Sequence, residues 1–392
     1  MPSRGRIVVV GAGIAGLTAA LCLARSGFSV DIYERATDLQ EVGAGLQLSP
    51  NAVRVLSWLG LADGLVRHAV VAKTVKLKSG RSGRQIAAVS VGGHDGASYM
   101  SIHRADLQAG LAIAASTDPA INLHLGQELV GAEPGPKTTL LVFRNGKTDR
   151  QIHAEIVVAA DGVRSRVAEA LVLPPPVDTR TTAWRMTVPA ERIAADRPAF
   201  NGIEAWLGAG RHAVAYPIRQ GREVNVVLIV PSDGAAGSAP APVEVDRLAR
   251  EFRSWDSQLQ KLIAAGGPAL AWPMYVVDDK RPWRHDNILL IGDAAHAMLP
   301  YAAQGAAMAI EDGCIVAHAL AKADSPAAAF ELYETLRRPR IDRVRSRVRF
   351  HEMVYHLPFP LSLGRDAVLG LKSPTNLGQD LAWLYGWTPP VA

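Results

Sequence analysis

The sequence predicts an α/β fold: a doubly wound unit around a parallel sheet, an antiparallel β-sheet inserted into it, and helices at the C-terminal end. Three observations predict it. The chain opens with strand, glycine turn, helix and strand in "RIVVVGAGIAGLTAALCLARSGFSVDIYER", residues 6–35. Residues 180–230 then break into short β-rich runs, "TTAWRMTVP", "GIEAWLG", "RHAVAYPIRQG" and "REVNVVLIV", parted by Gly or Pro, as in a meander. From about residue 320 the pattern is helical and ends in a tail containing Pro and aromatic residues.

In the opening unit an apolar run, Ile7 to Val10, stops at Gly11-x-Gly13-x-x-Gly16. An Ala/Leu-rich helix follows to about Arg25, Ser26-Gly27 breaks it, and a second strand, Val30 to Tyr33, ends in Glu34. Gly11 permits the tight turn, Gly13 lets a pyrophosphate approach the backbone, and Gly16 lets helix and strand pack closely. The free amides and the dipole of the helix favour phosphate. At the strand tip Glu34 can accept hydrogen bonds from ribose hydroxyls, which argues against a 2′-phosphate. This is a dinucleotide site, and the motif alone leaves NAD and FAD both open. No second such fingerprint follows, because the pairs Gly43/Gly45 and Gly208/Gly210 lack the preceding strand. The chain advertises one tight site.

In the meander, His212 and Tyr216 are four residues apart, on the same strand face with Val214 between them. Ala213 and Ala215 point the other way, where small size lets a second layer pack closely. Alternation alone leaves it open whether His212 and Tyr216 face a pocket or solvent. Further on, "LLIGDAAHAMLPYAAQGAAMAIEDG", residues 289–313, sets His296, Tyr301 and Gln304 among small residues. The segment 231–245 reads as a surface loop leading into a helix.

At 392 residues, 48% apolar and 20% charged, the chain is long and apolar enough for a large core. The net charge of +5 is spread out except for "RRPRIDRVRSRVRF", residues 337–350, with seven arginines. That run is expected to be a solvated helix face, since nucleic-acid or membrane binding would need aromatic interleaving or a long apolar face. Neither partner is expected. Cys22 and Cys314 lie far apart along the chain, too few for a disulfide framework or a metal cluster, and they suit a reducing compartment. Glycines break the apolar N-terminus, which reads as no signal peptide, and no unbroken apolar run reaches spanning length. A cytoplasmic protein without metal is expected.

Besides the fingerprint, the chain carries "GLQLSPNAVRVL" (45–56), "IHRADL" (102–107), "VVAADGVRSRV" (157–167) and "IGDAAHAMLPYAAQGAAMAIED" in order. With these motifs, over roughly residues 5–350, it resembles the single-component FAD-dependent aromatic hydroxylases. The resemblance is greatest to the salicylate, 3-hydroxybenzoate and 6-hydroxynicotinate hydroxylase branch of the p-hydroxybenzoate hydroxylase-like family. It implies a Rossmann-like FAD-binding domain from residues 1–175 and 276–345, a substrate-binding β-sheet domain at 176–275, and a helical tail at 346–392. It also implies tightly bound FAD, with NADH or NADPH as a visiting co-substrate. The reaction implied is hydroxylation by O2, through a flavin hydroperoxide, of a phenolic aromatic or hydroxypyridine carboxylic acid. CO2 would leave where a carboxylate occupies the attacked carbon. A larger polycyclic phenol or an alkene is the alternative substrate, and a homodimer is expected.

Residue by residue, the resemblance places Gly11, Gly13, Ala15, Gly16, Glu34 and Arg35 on the FAD, with Gln47 and Leu129. It places Arg104 near the phosphates, although the residues alone also allow a salt bridge with Asp106. Asp161-Gly162 looks like the motif serving flavin and nicotinamide, and Asp293 would bond a ribityl hydroxyl. Gly305 and Ala306, opening a helix after Gln304, would bring free amides to the reduced flavin. His296 is expected to be a packed neighbour of the flavin. Tyr301 and Gln47 are expected to contact substrate. His-x-x-x-Tyr-Pro resembles the pattern that carries the catalytic histidine in this branch, which implies His212 as the base, supported by Tyr216. Arg185 and Arg219 are candidates for holding a substrate carboxylate, though both read equally as strand-edge surface charges, and backbone amides and hydroxyls are the alternative.

Overall fold

The computed structural model describes residues 4–39, 44–93, 96–193, 200, 202–232 and 240–390, with only the backbone of residue 245. Its first layer is a six-stranded sheet. Five strands run parallel in the order Ile288–Leu290, Val157–Ala159, Arg6–Val10, Ser29–Tyr33 and Ile121–His124, and the short strand Arg284–His285 pairs antiparallel at one edge. Val8, Val30, Val157 and Ile288 are almost wholly buried, as expected of parallel strands covered on both faces. The helix Ile14–Arg25 follows the first strand and packs against the helix Gly305–Lys322. Gly313 permits that contact, since a Cβ there would sit 2.7 Å from the Ala19 nitrogen. In the same interface the Cys22 and Cys314 side chains meet, both buried and both free. Their separation along the chain is therefore not a separation in space.

The second layer is an eight-stranded sheet in the order Ala241–Val243, Ala269–Val276, Val177–Pro189, Glu223–Pro231, Arg211–Ile218, Ile203–Gly208, Thr74–Ser79 and Gln85–Ser90. Four of these strands match the β-rich runs of residues 180–230. Two more, at 74–90, come from the segment before the second half of the parallel sheet. Where a loop was expected at 231–245, Ala241–Val243 forms an edge strand, while residues 233–239 lie outside the described residues. One face of the sheet packs Trp184, Trp206, Ala213, Ala215 and Leu228 against Leu248, Phe252, Leu259 and Leu262. Ala213 and Ala215 thus do what their size suggested. The other face looks into a cavity.

The arginine run contradicts its reading as a solvated face. It lies in the helix Pro326–Tyr355, where Arg337 and Arg345 are buried. Arg338, Arg340 and Arg343 stack over Trp283, Trp387 and Trp383. The reason is that acidic and aromatic partners lie elsewhere in the chain, invisible to a local charge count. Beyond this helix, Leu361–Gly370 and Pro374–Gln379 cover the strand Gln85–Ser90, with Gly378 against the Ser90 carbonyl. No helix among the described residues is long and apolar enough to cross a membrane.

Candidate active site

A cavity of about 580 Å³ lies between the two layers. One of its ends is the glycine turn. Gly11 has φ +98°, and a Cβ there would meet the Ala160 carbonyl oxygen at 2.7 Å, while one at Gly16 would run into the Gly11 carbonyl. Gly13 differs: a Cβ on it meets nothing within 4 Å, and the residue faces the cavity beside Ala15. Its bareness serves something other than the protein's own packing. Gly305, opening the 18-residue helix on the opposite side, is equally clear and lines the same cavity with Ala306. Two helix N-termini therefore look into one space, a setting for anionic groups. Asp293, Arg104, Gln47 and Gly162 join that lining.

Other expected contacts stand around this space without lining it. The Glu34 carboxylate accepts from the Ala12 and Ala36 amides, at 2.8 and 2.9 Å, so it shapes the turn. Arg35 is exposed beside it. Leu129 is buried in the strand Glu128–Glu133. Asp161 accepts from the Val167 amide at 3.1 Å and so holds the following short helix, while burial raises its carboxyl. Asp106 pairs with Arg219 at 3.5 Å rather than with Arg104.

The loop 292–304 is pinned from below. His296 Nε2 lies 2.6 Å from Asp312 Oδ2, which also accepts from the Gly292 amide at 2.8 Å, and Asp312 Oδ1 accepts from Arg337 Nε at 2.7 Å. Burial pushes the Asp312 carboxyl up, but His296, Arg337 and the Gly292 amide outweigh it and hold it at about 2. Arg337 also pairs with Glu311, which receives a two-pronged contact from Arg340, at 2.6 Å on each oxygen, and a hydrogen bond from Asn51 Nδ2. Gln304 Nε2 reaches Ser49 Oγ at 3.1 Å. His296 is thus a buried, hydrogen-bonded group that fixes the loop, and it is not among the residues lining the cavity.

The opposite wall is the eight-stranded sheet. Val75, Ala205, Val214, Val227 and Ile229 make it apolar, with His212, Tyr216 and Arg185 as its polar points. His212 and Tyr216 share a face, yet four residues of strand separate their Cα atoms by about 13 Å. Tyr216 does not support His212: the neighbours of His212 come from elsewhere. His212 Nδ1 lies 2.8 Å from His356 Nε2. Tyr301 and Tyr355 meet its ring edge-on, with centroids 5.1 and 5.5 Å away. His351 stacks on Tyr355 and donates from Nδ1 to the Tyr301 carbonyl at 2.9 Å. Burial, followed by His356 and His351, pushes His212 well below the ordinary histidine value.

His351, Tyr355 and His356 were missed in the sequence. The signal available was "HEMVYH", which spaces His351 and Tyr355 by one helical turn, but the arginines beside it drew the reading. Arg185 lines the cavity, stacked over Trp272 at 5.6 Å, and its Nε has no hydrogen-bond partner among the described residues. Arg219 pairs with Glu223 at 2.9 Å and with Asp106, away from the cavity, which removes it as a carboxylate clamp.

A Gly13→Val variant tests the cradle. It should fold with wild-type circular dichroism, because its Cβ meets no protein atom, yet be purified without dinucleotide and melt like wild type stripped of its dinucleotide, since the bound ligand's stabilisation is lost. A variant retaining wild-type flavin absorbance would show that the ligand does not approach this turn.

Comparison with known proteins follows the same lines. A family model described as an FAD binding domain matches residues 4–350. The chain is 36% identical to 3-amino-4-hydroxybenzoate 2-monooxygenase of Streptomyces cremeus, over 98% of this chain and 95% of that one. It is 33% identical to 3-hydroxybenzoate 6-hydroxylase 1 of Aquipseudomonas alcaligenes, over 98% of each. A salicylate hydroxylase substrate complex superimposes with a TM-score of 0.81 at 23% identity, covering 97% of this chain and 95% of that one.

Proposed function

The chain belongs to the FAD-binding family of flavin-dependent aromatic monooxygenases, and on that premise we propose that it hydroxylates a phenolic carboxylic acid whose hydroxyl and carboxylate stand apart on the ring. Gly13, Ala15, Arg104, Asp293, Gly305 and Ala306 hold the FAD, and Glu34 fixes the turn at its phosphates. When bound and reduced by NADH or NADPH, FAD supplies oxygen activation.

The observation carrying the substrate reading is Arg185, a cation on the cavity wall with no carboxylate partner among the described residues. Burial pushes its guanidinium down, an effect Tyr216 opposes and Arg104 reinforces. An anion delivered into the cavity relieves that cost. Register separates the two anchors: Arg185 pairs with Val227, which pairs with Val214, whereas His212 pairs with Ile229. Arg185 is thus about 10 Å across the sheet from the strand carrying His212. A ring lying on Val214 and Val227 offers its carboxylate to Arg185 and its hydroxyl to His212. His212 takes the hydroxyl proton at the nitrogen that His356 leaves free, and the apolar wall excludes water. The two curated relatives, named for 3-hydroxybenzoate and 3-amino-4-hydroxybenzoate, act on acids of this kind.

NADH oxidation, product and peroxide should be measured with 2-, 3- and 4-hydroxybenzoate and 3-amino-4-hydroxybenzoate. We expect coupled product from a meta or para acid and little from the ortho one. Arg185→Met should raise KM for that acid roughly ten- to a hundredfold, the loss of a charged hydrogen bond. The corresponding phenol without a carboxylate should be unaffected. Equal losses for acid and phenol would refute the clamp.

A homodimer and a cytoplasmic location complete the reading. Exposed Phe359, Leu361, Leu363 and Leu371 support the first, and the two free cysteines the second. Light scattering at micromolar concentration tests the dimer.

A further inference from the structure

We propose that His356 is the proton-relay partner of His212, so that the proton taken from the substrate hydroxyl leaves the cavity through a pair of histidines. The inference rests on the phenolic-acid reading above. His212 Nδ1 and His356 Nε2 are 2.8 Å apart, with ring centroids at 5.1 Å and planes tilted by 38°. At that distance one N–H is shared between them. With Nδ1 committed, Nε2 of His212 is the nitrogen available to substrate.

The transfer balances without any further reagent. The hydroxyl O–H breaks as His212 Nε2 gains the hydrogen, and the Nδ1–H bond of His212 breaks as His356 Nε2 gains its own. The positive charge comes to rest on His356, and the substrate is left as phenolate. Reversal of the same two steps re-protonates the product.

The surroundings explain why a second ring is needed. His212 is 3% exposed on a wall of Val214, Val227 and Ile229, where a lasting imidazolium would be costly. Tyr301 from the loop and Tyr355 from the long helix box it in. His351 is committed to the Tyr301 carbonyl, and burial holds it at about 4, hence neutral. The charged groups nearby on that helix are half-buried Glu352 and Arg347, the latter on the cavity lining. His356 itself is half-buried at the helix end, next to exposed Pro358, Phe359 and Pro360. Burial lowers His356 too, but it is the more exposed member of the pair and so the one from which a proton can reach water. It acts through His212 and is a positioning residue in that sense.

The experiment compares FAD-loaded wild type, His356→Gln and His356→Ala between pH 6 and 9. The substrate is whichever of 3-hydroxybenzoate, 4-hydroxybenzoate and 3-amino-4-hydroxybenzoate the wild type hydroxylates. Gln keeps an acceptor for the Nδ1–H but cannot pass a proton on. Expected are unchanged flavin content and melting temperature, KM within about twofold and hydroxylation slowed about tenfold or more. The pH profile should change, and added imidazole should restore His356→Ala. Wild-type rates in His356→Gln at every pH would overturn the relay. So would a loss in His356→Ala that tracks flavin content and ignores imidazole. If the wild type hydroxylates none of the three acids, the substrate reading fails first and takes the relay with it. Turnover by the wild type with an unimpaired His356→Gln removes the relay alone.

Discussion

Replacing His212 with Ala should lower coupled hydroxylation by about a hundredfold or more, the usual contribution of a general base. Flavin content and NADH-driven flavin reduction should persist, because His212 lies on the sheet wall and not in the glycine cradle. Electrons from NADH would then be diverted to peroxide. The pH dependence is distinctive. Burial and the neighbouring histidines hold His212 well below its ordinary value, which displaces its protonation to the acid side of the ordinary histidine range. Wild-type hydroxylation should therefore show no acid limb near pH 6.5, the unperturbed histidine value, and should decline only at lower pH. An unchanged ratio of product to peroxide in the Ala variant would remove His212 from the role.

The largest effect on stability should come from Arg337→Leu. This side chain is 1% exposed and bonds both Asp312 and Glu311. Breaking a buried pair by removing one partner costs about 3–5 kcal/mol, because the remaining charge stays desolvated. Glu311 keeps Arg340, and Asp312 keeps His296 and the Gly292 amide, which should leave the variant folded but much less stable. Urea unfolding of both proteins measures the difference. Asp312 has a depressed folded value, about 2, against roughly 3.9 unfolded. Its contribution is complete above pH 4 and is lost as pH falls towards 2. The deficit of the variant should thus be constant between pH 5 and 8 and shrink in acid. A deficit under 1 kcal/mol at pH 7 would show that solvent reaches the network.

Much of this was legible because it is local. Gly11, Gly13 and Gly16 specify a turn within six residues, and the Ala213/Ala215 alternation specifies a face within four. The bareness of Gly305 could likewise be anticipated from the small residues around it. What stayed hidden depends on contacts over long stretches of chain. The buried role of Arg337 requires Glu311 and Asp312, some 25 residues earlier. The partner of His212 lies 144 residues further on, and no spacing rule links them. The pair Cys22 and Cys314 became neighbours through the packing of two helices, again without local sign. The His-x-x-x-Tyr-Pro resemblance ties Tyr216 to His212, whereas strand geometry separates the two.

The tail has a consequence for the shape of the cavity. Leu369, Leu377, Leu381 and Tyr385 line the cavity, yet they belong to neither sheet and follow every residue of the cofactor cradle. Mutation in this last stretch can therefore reshape one side of the chamber while Gly13, Asp293 and His212 keep their places. The shape of the chamber on that side is thus set by a stretch of chain separate from the one that cradles the cofactor.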